Sequence, residues 1–86
     1  MSQAIDIKIP PEFWVSSILP EGMLEKWLRP EGSQVKLGEP IADICVESMP
    51  HELMAPATGI LKTTCKVNCI VDPGFTIGRI EPSHDT

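Results

Sequence analysis

Eighty-six residues with seven basic and twelve acidic side chains, a net charge of −5, give enough surface for one small core and too little for two. No basic cluster offers nucleic acid or an anionic membrane a foothold, no apolar run approaches the roughly 20 residues of a transmembrane helix, and "MSQAIDIKIPP" lacks the basic and apolar regions of a secretory signal. Nine prolines and six glycines predict many turns and few long helices.

In chain order, "AIDIKI" (4–9) alternates apolar and polar residues and predicts a half-buried strand. "PPEFWVSSILPEG" (10–22) is the least regular stretch and holds Phe13 and Trp14, two of the four aromatic residues. It reads as a surface loop pinned by an aromatic plug, with a partner-recognition loop as the alternative. "GMLEKWLR" (22–29) spaces Leu24 and Leu28 as a helix would, but Pro20 and Pro30 leave about two helical turns at most, and a strand is expected. "PIADICVE" (40–47), "GILKTTCKV" (59–67) and "FTIGRIE" (75–81) are rich in β-branched and apolar residues. "RPEG" and "VDPG" are turn signals, proline fixing φ and glycine supplying a positive one. "CVESMPHELMAP" (45–56) has the length and flanks of a hairpin. "PSHDT" reads as a frayed tail and a natural terminus. Short strands with regular turns predict a small sandwich or flattened barrel.

The three cysteines, Cys45, Cys65 and Cys69, are odd in number, which argues against a disulfide framework and for a reducing compartment. Cys65-x3-Cys69 lacks the spacing of a zinc knuckle, and His51 or His84 completes no standard ligand set. Cys45 and Cys65 are expected to be small apolar fillers facing a core.

The chain repeats itself. "VKLGEPIADI" (35–44) and "VDPGFTIGRI" (71–80) share V-x-x-G-x-x-I-x-x-I: Val35, Gly38, Ile41 and Ile44 answer Val71, Gly74, Ile77 and Ile80. Upstream, "EGMLEKWLRPEG" (21–32) answers "TGILKTTCKVNC" (58–69), with Gly22 matching Gly59, Leu24 matching Leu61 and Leu28 matching Cys65. One residue is lost near Cys69, which then answers Gly32 and predicts a differently built turn. Each half has too few strands to bury its own apolar face, so the halves must share a core.

The order Glu21-Gly22, Trp27, Glu31-Gly32, Val35, Gly38-Glu39-Pro40 and Ile41, followed by "APATGIL" (55–61), resembles the lipoyl domains of 2-oxo acid dehydrogenase complexes over roughly residues 4–81. Biotinyl carrier domains share much of this pattern. The resemblance implies one domain over 1–86, with repeat halves at about 21–47 and 57–81. It would be a flattened β-barrel or barrel-sandwich (hammerhead) of two four-stranded sheets related by a quasi-two-fold axis. It also implies a hairpin whose tip bears a modified lysine. Counting from the glycines equivalent to Gly38 and Gly59 gives the same position from both sides, Ser48, flanked by Glu47 and Met49.

A lysine amine forms a stable amide with a lipoyl or biotinyl group; a serine hydroxyl, on one carbon, is a poor nucleophile unless a base activates it. No lysine lies between Lys36 and Lys62. The expectation is a carrier-type domain that takes no cofactor as written, lipoyl being expected were residue 48 a lysine and biotin the alternative. Either the protein is naturally a docking or assembly module, or serine was substituted to give an unmodified form. Expected partners are a dehydrogenase component, an acyltransferase or a lipoyl- or biotin-attaching enzyme, met in the cytoplasm, with Phe13, Trp14 and His51 as contact candidates. The alternatives are a biotinyl carrier of a carboxylase or decarboxylase and an independent binding module on the same barrel. A hydrolytic Ser48–His51 pair has no evident oxyanion hole or orienting group, and the chain is read as no enzyme.

Overall fold

The computed structural model describes residues 4–14 and 21–82. Its strands are β1 (Ile5–Lys8), β2 (Gly22–Trp27), β3 (Gln34–Val35), β4 (Pro40–Val46), β5 (Met49–Met54), β6 (Gly59–Thr63), β7 (Ile70–Val71) and β8 (Thr76–Glu81). They form two four-stranded antiparallel sheets, ordered β1-β8-β6-β3 and β5-β4-β2-β7. Among the described residues no pairing joins one sheet to the other, so the architecture is two sheets and not a closed barrel. One departure from strand is a 3₁₀ turn at Pro11–Trp14, where β structure would have required Pro11 to donate a hydrogen bond it lacks.

Alternation makes the core. Ile7, Leu24, Leu61, Val35 and Val71 point inward from their strands, and Ile41, Ile44, Ile77 and Ile80 are at most 1% exposed. Residues of both sheets belong to a single buried cluster. Each isoleucine or leucine so buried contributes about 2 kcal/mol. In β4 both Ile41 and Ala42 are buried, because the register with β5 shifts between Pro40 and Ala42.

The internal repeat is visible in the pairing. Gly22 lies opposite Val71, and its counterpart Gly59 lies opposite Val35, the counterpart of Val71. β2 pairs with β4 as β6 pairs with β8. β5 flanks β4 as β1 flanks β8. The ends match too: Gly38 N–H donates to Ala55 O (3.0 Å) and Ala55 N–H to Glu39 O (2.8 Å), while Gly74 N–H donates to Ile9 O (2.8 Å) and Ile9 N–H to Phe75 O (3.0 Å). Those last bonds extend the β1 pairing to Ile9, the end of the expected strand.

Four expectations are corrected. The turn near Cys69 is built like its counterpart, with Asn68 and not Cys69 answering Gly32. Both have positive φ (76° and 85°). Asn68 N–H donates to Leu24 O (2.7 Å) as Gly32 N–H donates to Leu61 O (2.8 Å). Asparagine tolerates the left-handed region well enough to replace glycine. The missing residue falls earlier, where Thr64 and Cys65 N–H both donate to Ile77 O; β6 accordingly stops at Thr63, short of the expected 67. Finally, Cys65 and Cys69 form a disulfide, against the reading of the odd cysteine count. The turn closed by Cys69 N–H to Lys66 O brings their Cα atoms to 6.2 Å, within disulfide range. The cysteine argument for a reducing compartment falls with it. Cys65 is buried in the core as expected, but Cys45 is free and only half-buried, on the outer face of β4 between the inward-facing Ile44 and Val46, and is not the core filler expected.

Candidate functional site: the β4–β5 hairpin and the turn beside it

The hairpin expected at 45–56 is the longest ladder in the fold, running from Pro40 opposite Met54 to Val46 opposite Met49. Its connection is the two residues Glu47 and Ser48, with φ of 50° and 66°. Positive φ at both central residues defines the turn that matches the twist of the flanking strands, and that turn prefers Asn-Gly. Here neither residue is glycine, so both side chains project from a tip whose backbone conformation costs about 1 kcal/mol per residue. Glu47, Ser48, Met49 and Pro50 are all exposed, Met49 to 61%. Pro50 sits in β5, an edge strand, where a missing N–H is tolerated.

The 3₁₀ turn packs beside this hairpin. Trp14 is buried (7% exposed), its Cζ2 against the Cα face of Gly22, and Val46 reaches the same place. Phe13, partly buried, stacks on His51, with 4.8 Å between ring centroids and 17° between planes. Trp14 is thus buried as an aromatic plug would be, and Phe13 touches the hairpin arm; residues 15–20 of the expected loop lie outside the described residues. The stack was not visible in the sequence, because nothing in "PEFW" or "MPHEL" encodes their adjacency across the fold.

Ser48 and His51 are not brought together: among the described residues no hydrogen bond joins them, and the imidazole faces Phe13. Lys36 follows β3 and Lys62 lies in β6, in the sheet that does not carry the hairpin. Among the described residues no three His, Cys, Asp or Glu side chains converge as a metal site; His84 lies outside them. No helix among them is long and apolar enough to cross a membrane.

Away from the tip, Glu31 ties the turn after β2 to β6. Its Oε1 accepts from Thr63 N–H (2.6 Å) and Thr63 Oγ1 (2.8 Å), and its Oε2 lies 3.9 Å from Lys62 Nζ. The Thr63 backbone donor, then its hydroxyl, holds the Glu31 carboxyl below the usual carboxylate range. Trp27, which carries part of the resemblance, is partly buried and donates its Nε1–H to Cys65 O (3.0 Å), bracing the disulfide turn.

No protein-family model matches the chain. No curated protein matches it either.

Proposed function

We propose that the chain is a lipoyl-type carrier scaffold, its two halves related by a quasi-two-fold axis as a barrel-sandwich, which acts as a docking or assembly module without a covalent cofactor. One observation carries this reading. Ser48 stands exposed at the two-residue apex of the hairpin that links the repeat halves, where the resemblance puts a modified lysine. The matched pairings of the two sheets support the same scaffold. Serine at that apex has neither the reach nor, with His51 turned to Phe13, an adjacent base. The protein is therefore read as a partner-binding domain, meeting a dehydrogenase or acyltransferase component in the cytoplasm through the hairpin tip, Phe13 and His51, and not as an enzyme.

Met49, exposed beside the apex, favours a biotinyl carrier as the second reading, since a methionine flanks the lysine in that pattern. Titration against purified 2-oxo acid dehydrogenase and biotin-dependent carboxylase components tests both. Saturable binding to a dehydrogenase component, weakened by Phe13→Ala, is expected. Binding to neither class would leave an independent module on this fold.

A further inference from the structure

The outer face of the β5-β4-β2-β7 sheet carries an apolar row across all four strands. Cys45 lies opposite Pro50 on one side and Met23 on the other, and Met23 lies opposite Ile70. The row points away from the core: Cys45 is flanked by buried Ile44 and Val46, Met23 by buried Gly22 and Leu24, and Ile70 precedes buried Val71. Ile70 is 60% exposed.

The repeat supplies an internal control. The counterparts of Met23, Cys45 and Ile70 in the other sheet are Ile60, Glu81 and Gln34, paired in the same way. There two polar residues interrupt the row. The same scaffold thus folds without an apolar row at this level, and folding alone does not account for one.

The border is acidic. The next row inward from the tip is Glu52, Asp43 and Lys26, with Glu25 in the adjoining bulge of β2 and Glu47 at the apex. Four carboxylates stand against Lys26, with Lys66 exposed in the turn before β7. A second copy docked symmetrically would set this border against itself, and an anionic membrane would be repelled. A cationic partner is attracted.

We propose that Pro50, Cys45, Met23 and Ile70 form a docking surface for a protein segment presenting an apolar ridge flanked by lysine or arginine. The inference does not depend on the carrier reading: it shares Pro50 and Glu47 with the hairpin tip but uses neither Ser48 nor Phe13.

The test uses a short amphipathic leucine–lysine peptide as probe and a leucine–glutamate peptide as control, titrated into ¹⁵N-labelled protein. The expected result is saturable binding of the basic peptide alone. Shifts should centre on Met23, Cys45 and Ile70, and Cys45 should be protected from maleimide. Ile70→Glu is the deciding variant, because it adds negative charge. Attraction by charge alone would tighten with it, whereas docking on the row should weaken by about tenfold or more. Met23→Gln should weaken binding similarly without altering charge, and Ile60→Glu, on the control sheet, should leave it unchanged. Unchanged or tighter binding by Ile70→Glu overturns the proposal. So do shifts centred elsewhere, no binding, or self-association through this face.

Discussion

The imidazole of His51 lies against the ring of Phe13, joining the 3₁₀ turn after β1 to an edge strand that belongs to the other sheet. A contact between two aromatic rings in this arrangement is worth about 1 kcal/mol beyond its buried area. Phe13→Ala should lower stability by roughly 1–3 kcal/mol once the lost burial is included. Amide exchange should quicken in Met49–Glu52 more than in β1 or β8. Uniform acceleration throughout the chain would show that the ring does not restrain the hairpin.

The hairpin apex is a compromise. Glu47 and Ser48 both adopt positive φ, which asparagine and glycine adopt more readily. Replacing the pair, Glu47→Asn with Ser48→Gly, should raise stability by about 1–2 kcal/mol, read from urea denaturation at unchanged m-value. A loss of stability would mean that the native side chains hold the tip in place, contrary to a tip that displays them.

Much of this was legible in the sequence, for identifiable reasons. The V-x-x-G-x-x-I-x-x-I repeat marks core positions because the same apolar residues recur in both halves, but its three-residue spacing brings both isoleucines of a half inward only through the register shifts near Pro40–Ala42 and Ile7–Lys8. Counting from Gly38 and Gly59 by the spacing that the resemblance implies lands on Ser48, and Ser48 lies in the two-residue connection of the hairpin. What escaped depends on contacts distant in sequence. The Glu31 carboxylate meets Thr63 across 32 residues, and the stack of Phe13 on His51 crosses between elements that no periodicity links. The disulfide escaped because counting cysteines says nothing about a turn that folds two of them together. Asn68 hides the turn symmetry because its counterpart is a glycine, whereas the backbone requires only a residue that accepts positive φ.

Gly22 and Gly59 are counterparts, yet they should not tolerate alanine equally. A Cβ at Gly59 would run into the Glu81 carbonyl oxygen and backbone of the neighbouring strand. A Cβ at Gly22 would lie 2.9 Å from Trp14 Cζ2 and 3.3 Å from the Cys45 carbonyl oxygen, so the first atom met belongs to a side chain and not to backbone. Gly59→Ala should therefore cost about 3 kcal/mol or more and Gly22→Ala about 1 kcal/mol, with a change in Trp14 fluorescence only in the second while folded. Equal costs would contradict the packing described.

Glu31 makes stability depend on pH in a definite direction. Its carboxyl is held down in the folded chain by Thr63, so it binds its proton less readily folded than unfolded. Its contribution is complete above the ordinary carboxylate pKa and is lost as pH falls through the lower folded value. Thermal melts should show Glu31→Gln less stable than the parent near neutrality, the gap closing through the acid range. A constant gap at all pH would show that the carboxylate charge is irrelevant to the Thr63 contact.

The proposed function turns on Ser48 standing at the position where the resemblance puts a modified lysine. Intact mass after co-expression with a lipoyl-attaching enzyme, for the parent chain and for Ser48→Lys, tests it most directly. The account predicts no added mass on the parent and one lipoyl group on Ser48→Lys. A modified parent, or a folded Ser48→Lys left unmodified by both lipoyl- and biotin-attaching enzymes, would contradict it.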